Sequence, residues 1–214
     1  MPTIETESGP VSAIVDGEGS GVVVVLAHGA GSPMDSEFMT HVATGIAAAG
    51  YLVCRFNFPY MEAGRRAPDR APVLEGSYRS VVAWVRSRSP EARVVVGGKS
   101  MGGRIASHIA VDDGTLAGVL LHGYPLHPPG RPDRIRDAHL KGIGAPILFV
   151  EGTRDPFCPL ETLEKVLREL PAARLAVIDD GDHSFKVRKA SGRSTRDAWD
   201  EVVAASVSWL ETLS

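Results

Sequence analysis

Ser100 stands between two glycine pairs in the stretch Val94-Val95-Val96-Gly97-Gly98-Lys99-Ser100-Met101-Gly102-Gly103-Arg104. An apolar β-branched run leads into a Gly-x-Ser-x-Gly frame and a helix-like segment follows, the layout of a nucleophile elbow. The chemistry this offers is attack of a hydroxyl on an acyl carbon. A serine hydroxyl is a weak nucleophile, so it needs a base, and the base needs an acid to orient it. Both lie downstream in the order Ser, Asp, His: Asp155 in Gly152-Thr-Arg-Asp155-Pro-Phe and His183 in Asp180-Gly-Asp182-His183-Ser-Phe. The expected oxyanion donors are the backbone N–H of Met101, at the helix start, and of Ala30, in His28-Gly29-Ala30-Gly31. A Cβ at Gly98 or Gly102 is expected to collide across the tight strand-to-helix turn.

Three rivals are weighed against this assignment. Gly98-Lys99-Ser100 half-fits a phosphate-binding loop, but that motif needs glycine five positions before Gly98, where Arg93 stands. Asp179, Asp180 and Asp182 compete for the acid, and the position after the penultimate strand selects Asp155. His28, His122 and His127 compete for the base, and none lies downstream of Asp155. His28 is expected to make structural hydrogen bonds in the oxyanion loop. Cys158 is read as a small packed residue.

The elements that must position these groups alternate. Strands are predicted over 22–27, 51–56, 93–97, 116–121, 146–151 and 174–179. A helix opens at Asp35 or Ser36 and stops at Gly50, with Phe38, Val42 and Ile46 on its inner face. Further helices are predicted over 73–88, 101–111, 160–170 and 195–213, the last with Trp199, Val203, Val207 and Leu210 inward. Residues 1–20 supply one or two edge strands. Repeated β-α-β units imply a mostly parallel sheet with helices on both faces, in one domain over 1–214. In such sheets functional groups gather beyond the carboxyl ends of the strands.

Composition sets the outer limits. The chain has 214 residues, 43% hydrophobic and 23% charged, ordinary for a globular domain and unlike a disordered or membrane-spanning one. The acidic, polar N-terminus has no signal-peptide pattern, and two cysteines make no disulfide framework, so a cytoplasmic location is expected. The formal net charge of −3 argues against nucleic-acid binding, and no metal-ligand spacing or cofactor motif is found. The sequence leaves the oligomeric state open.

Taken together, Gly-Lys-Ser100-Met-Gly-Gly-Arg, Gly-Thr-Arg-Asp155-Pro-Phe and Gly-Asp-His183-Ser-Phe resemble the small α/β-hydrolases close to dienelactone hydrolase. His28-Gly-Ala-Gly, Phe56-Asn-Phe-Pro-Tyr60 and Gly123-Tyr-Pro-Leu-His-Pro-Pro-Gly130 point within them to a branch. That branch includes the testis-expressed hydrolase-like protein and a subunit of the NSL histone-acetyltransferase complex. The resemblance runs from about Val22 to the C-terminus and implies an α/β-hydrolase fold with a minimal cap or none. Dienelactone hydrolase itself has cysteine at the elbow, so dienelactone is not implied as substrate. Because some relatives work as complex subunits, the alternative is a hydrolase-fold interaction module with weak or no turnover.

The expected activity is therefore cleavage of an ester or thioester of a small acyl substrate through an acyl-Ser100 intermediate. Met34, Phe58, Tyr60, Met61 and Tyr124 are the candidates to line the acyl pocket, with ordinary core packing the alternative for each. Loops 58–71, 123–142 and 180–193 carry 11 of the 23 Lys and Arg against six acids. Either this basic rim steers an anionic substrate, or its arginines are solvated and paired with neighbours such as Glu62, Asp133 and Asp137. Loop 123–142 is the candidate lid.

Overall fold

A computed structural model describes residues 1–19 and 21–213. In chain order the elements are β1 (Thr3–Ile4), β2 (Val11–Asp16), β3 (Val22–Ala27), α1 (Glu37–Ala48), β4 (Leu52–Phe56), α2 (Pro59–Glu62), α3 (Ala71–Arg88), β5 (Arg93–Lys99), α4 (Met101–Val111), β6 (Gly118–His122), β7 (Ile147–Gly152), α5 (Leu160–Leu167), β8 (Ala173–Ile178) and α6 (Thr195–Glu211). They build an eight-stranded sheet in the order β1-β2-β4-β3-β5-β6-β7-β8. The strands from β3 to β8 run parallel, whereas β1 and β2 pair antiparallel at one edge. The expected edge strands ahead of β3 are therefore present.

β3 shows why the sheet is covered on both sides. Its Val-Val-Val-Val-Leu-Ala run is buried throughout. Alternation sends Val23, Val25 and Ala27 to one face, with Tyr78 of α3, Ile105 of α4 and Leu163 of α5. Val22, Val24 and Leu26 go to the other, with Val42 of α1 and Val202 of α6. Among the described residues no helix is long and apolar enough to cross a membrane.

Two local expectations are corrected. The inward stripe of α6 is Ala198, Val202, Ser206, Trp209 and Leu210, not one running through Trp199, Val203 and Val207. Buried His122 at the end of β6 bonds Ser206 Oγ at 2.9 Å, which turns the small-residue stripe toward the sheet. Val203 is left on the flank, against Gly45 of α1. The short α2 was not predicted; Pro59 at its first position starts a single turn after Phe56-Asn-Phe.

Tyr78 inserts its hydroxyl into the sheet itself. The oxygen accepts from Gly97 N–H at 2.9 Å and lies 2.7 Å from the carbonyls of both Val25 and Gly97, to which it can donate. Tyr78→Phe keeps the ring but leaves that buried N–H without its acceptor, so we predict a loss of about 1–3 kcal/mol. An unchanged urea midpoint and slope would show that the hydroxyl contributes nothing.

Candidate active site

Ser100 occupies the single residue between β5 and α4, with φ 51° and ψ −113°. That conformation is costly for a residue with a Cβ and persists only when its surroundings enforce it. Here they do: Ser100 N–H donates to His122 O at 2.9 Å, and Ser100 O accepts from Arg104 N–H at 3.0 Å. The glycines differ from expectation in what they make room for. A Cβ on Gly98 or on Gly102 would lie 2.2 Å from Ala27 O, on the neighbouring strand β3. The strand-to-helix contact falls to Gly103, whose Cβ would lie 2.7 Å from Gly98 O. Three elements meet at the elbow, not two.

The loops after β7 and β8 are stapled to each other before either reaches the serine. Gly152 packs so closely on Gly181 that a Cβ would lie 2.2 Å from its carbonyl oxygen. Arg154 N–H donates to Gly181 O at 2.8 Å, and Asp180 N–H donates to Thr153 Oγ1 at 2.8 Å. Arg188 donates to the Asp180 carboxylate from its backbone at 2.7 Å and from Nε at 2.6 Å. These bonds hold the Asp180 pKa down to about 2. Asp182 accepts the N–H groups of Ser184 and Lys186, and Asp179 is exposed, so the rival acids are committed elsewhere or face solvent. Asp155, with a buried side chain, accepts Phe157 N–H on Oδ1 at 2.8 Å. Its Oδ2 lies 2.6 Å from His183 Nδ1, and His183 Nε2 lies 2.8 Å from Ser100 Oγ. These partners assign the proton of neutral His183 to Nδ1, leaving Nε2 free to accept.

The sequence profile described as "Alpha/beta hydrolase domain" matches residues 20–211 of the chain. The chain belongs to this alpha/beta hydrolase family. Solved structures agree on the fold. A serine hydrolase homologue from Coxiella burnetii superposes with a TM-score of 0.77 at 20% identity, covering 95% of each chain. A dienelactone hydrolase from Anabaena variabilis gives 0.79 at 20% identity over 99% of this chain and 95% of its own. Two curated Mycobacterium tuberculosis proteins, each named "Putative phosphoribosyl transferase", are 29% identical over 170 residues, 77% of this chain. The match spans only 37% of their length.

In this alpha/beta hydrolase the three rival histidines are bonded away from the serine. His28 Nδ1 donates to Gly29 O at 2.8 Å while its Nε2 accepts from Phe58 N–H at 3.0 Å, the structural hydrogen bonds expected of it. Burial lowers its pKa. Burial, aided by Lys99, lowers that of His122 to about 3. His127 bonds Pro128 O at 3.0 Å. Cys158 is a buried free thiol whose pKa burial raises, so it is packed and unreactive.

Behind the serine lies a buried charge cluster that the sequence reading overlooked. Lys99 puts its Nζ 5.5 Å from the Phe185 ring centroid, without a hydrogen-bond partner among the described residues. Desolvation lowers its pKa to about 8, against the opposing pull of Asp155, Glu151 and Asp182. Glu151 is fully buried and accepts Tyr124 N–H at 2.6 Å. Burial and the adjacent Asp155 raise its pKa well above the ordinary carboxylate value.

Two depressions meet at Ser100. One, of about 300 Å³, is bounded by Leu74, Ile105, Pro125, Phe157, Arg104 and Arg136. The other, of about 510 Å³, runs past Phe38, Ser184, Lys186 and Trp199. Ala30, Ser100 and His183 border both. None of Met34, Phe58, Tyr60, Met61 and Tyr124 borders either, which corrects the expected pocket lining. Met34, Phe58, Tyr60 and Tyr124 are buried behind it, and Met61 packs partly buried against the core. Their work is support: Tyr60 Oη accepts Gly31 N–H at 3.4 Å, and Met34 N–H donates to Asn57 Oδ1 at 2.9 Å.

The basic rim also resolves into parts. Arg65 pairs with Asp69, Lys141 with Glu169, Arg188 with Asp180 and Arg193 with Glu201. Of the eleven rim cations, only Arg136 and Lys186 border the two depressions. Phe157, set edge-on to the His183 ring at 4.7 Å, and Arg104, four residues after the serine, are wall residues that the sequence reading missed. Helical spacing from Ser100 was the available signal for Arg104.

Proposed function

We propose that the protein is a serine hydrolase that cleaves a carboxylic ester or thioester through an acyl-Ser100 intermediate. The observation that carries this is the continuous relay from Asp155 through both nitrogens of His183 to Ser100 Oγ, at 2.6 and 2.8 Å. In the first half-reaction Ser100 Oγ bonds to the acyl carbon and its proton passes to His183 Nε2. Asp155 stabilises the imidazolium through Nδ1–H. The oxyanion is held by the N–H of Met101, a first-turn donor with no intrahelical acceptor, and by that of Ala30. Collapse expels the leaving group, which takes the proton from His183. A water then loses its proton to Nε2 as it attacks the acyl carbon, and the acid leaves as Ser100 regains its hydrogen.

An interaction module without turnover would have no use for a serine held at φ 51° and bonded to a histidine, so it is not favoured. The elbow, acid and histidine motifs support a place among the dienelactone-hydrolase-like proteins, and His28-Gly-Ala-Gly, Phe56-Asn-Phe-Pro-Tyr60 and the 123–130 stretch support the branch that includes the testis-expressed protein and the NSL-complex subunit. Two free, buried thiols suit a reducing cytoplasm.

A fluorophosphonate probe tests the reading. Wild type is expected to label covalently and Ser100→Ala, folded to the same melting temperature, is expected not to. A wild-type protein that is folded and never labels would overturn it.

A further inference from the structure

Two cations on the smaller cavity's wall take part in no ion pair among the described residues. Arg104 leaves α4 one turn beyond Ser100, and Arg136 comes from the loop between β6 and β7. Arg104 Nε is buried and without a hydrogen-bond partner among the described residues. Neither guanidinium forms an ion pair there. Asp69, on the same wall, meets Arg65 through Oδ1 at 2.8 Å while its buried Oδ2 has no hydrogen-bond partner among the described residues, and Glu75, which lines a neighbouring depression with the two arginines, meets His108 at 2.7 Å.

The pair is also preset. Arg136 N–H donates to Leu126 O at 2.7 Å, and Tyr124 Oη donates to Arg136 O at 2.7 Å, which pins the backbone carrying that guanidinium. Burial disfavours the charge on Arg136, and the nearby Arg104 adds like-charge repulsion. An anion placed between them would remove the repulsion and accept bidentate, charge-assisted hydrogen bonds. The rest of the wall is largely apolar (Leu74, Ile105, Pro125, Phe157), a match for the carbon chain that would carry it.

We propose that Arg104 and Arg136 form a subsite for a compact oxyanion, a carboxylate or a phosphate, borne by the acyl part of the ester. The acyl assignment rests on Ser100 being the nucleophile. Ser100 and His183 border both depressions, and on this proposal the acyl chain occupies the arginine cavity and the leaving group the larger depression beside Ser184 and Trp199. Residues four apart on a helix lie about 5–6 Å from each other, so a spacer of a few methylenes separates carbonyl and anion.

The test compares kcat/KM for the p-nitrophenyl monoester of glutaric acid with that for the uncharged pentanoate ester. A 4-phosphonobutanoate ester distinguishes phosphate from carboxylate as the preferred anion. Wild type is expected to favour an anionic ester by about 10- to 100-fold, and the Arg104→Gln/Arg136→Gln variant to bring that ratio close to one. A wild-type ratio near one for both anionic esters, or a preference that survives in the double variant, would overturn the subsite.

Calorimetry separates this failure from failure of the hydrolase reading. Glutarate and 3-phosphonopropionate are titrated into wild type, and at least one is expected to bind there and not to the double variant. Binding with no hydrolysis of any ester would sink the nucleophile and leave the subsite standing. No binding of either anion to wild type would sink the subsite.

Discussion

Asp155→Asn is expected to lower kcat/KM on p-nitrophenyl acetate about 10⁴-fold while leaving the fold intact. Asp155 uses both oxygens as acceptors, Oδ1 from Phe157 N–H at 2.8 Å and Oδ2 from His183 Nδ1–H at 2.6 Å. An asparagine has one carbonyl oxygen to serve two donors. If its oxygen stays with Phe157, its NH₂ faces Nδ1 and the imidazole must move its proton to Nε2. The Nε2–H then points at Ser100 Oγ, where a base is required, and proton abstraction fails. The steric change is a single atom, so the melting temperature should move by only a few degrees. Activity within tenfold of wild type would mean that another acid, with Asp182 the nearest candidate, orients the histidine.

The second large effect is on stability. Gly102→Ala is expected to cost at least about 3 kcal/mol and to abolish fluorophosphonate labelling. Its Cβ would lie 2.2 Å from Ala27 O, 2.5 Å from Ala27 C and 2.7 Å from His28 O. All three are backbone atoms, at the point where β3 turns into the 28–31 loop, and none can rotate away. Gly76→Ala, in the middle of α3 with nothing within 4 Å of the new carbon, is the control. It should be neutral or stabilising by up to about 1 kcal/mol. Equal urea midpoints for the two variants would contradict the packing described for the elbow.

How far the chain could be read in advance follows from what each residue answers to. β3 and α4 fall on the ranges expected of them, because a β-branched run and the strand-to-helix frame of Gly-x-Ser-x-Gly are local signals. The residues Ser100, Asp155 and His183 could be brought together on paper because strand ends in a parallel sheet share one edge. The face of α6 could not. Trp199, Val203 and Val207 form a good stripe by hydropathy, but small Ala198 and Ser206 let the helix approach β6, and His122 supplies a polar partner that a hydrophobicity pattern discounts.

The wall of the cavity was hidden for a related reason. Tyr60 and Tyr124 look like pocket residues, yet their hydroxyls serve backbone groups of Gly31 and Arg136, a pairing set by tertiary structure alone. The basic rim failed as a count because pairing partners such as Glu169 and Glu201 lie outside the loops that were counted.

The loop between β6 and β7 has a consequence for how the family can diversify. From Gly123 to His139 it contains no helix or strand, yet it contributes Pro125, Pro129 and Arg136 to the wall that an acyl chain would touch. The serine, by contrast, is locked to the middle of the sheet through Ala27. Substitutions in that loop can therefore redraw what is recognised without disturbing the atoms that react. On the proposed function, changes on one segment would alter the substrate while the chemistry at Ser100 stayed the same.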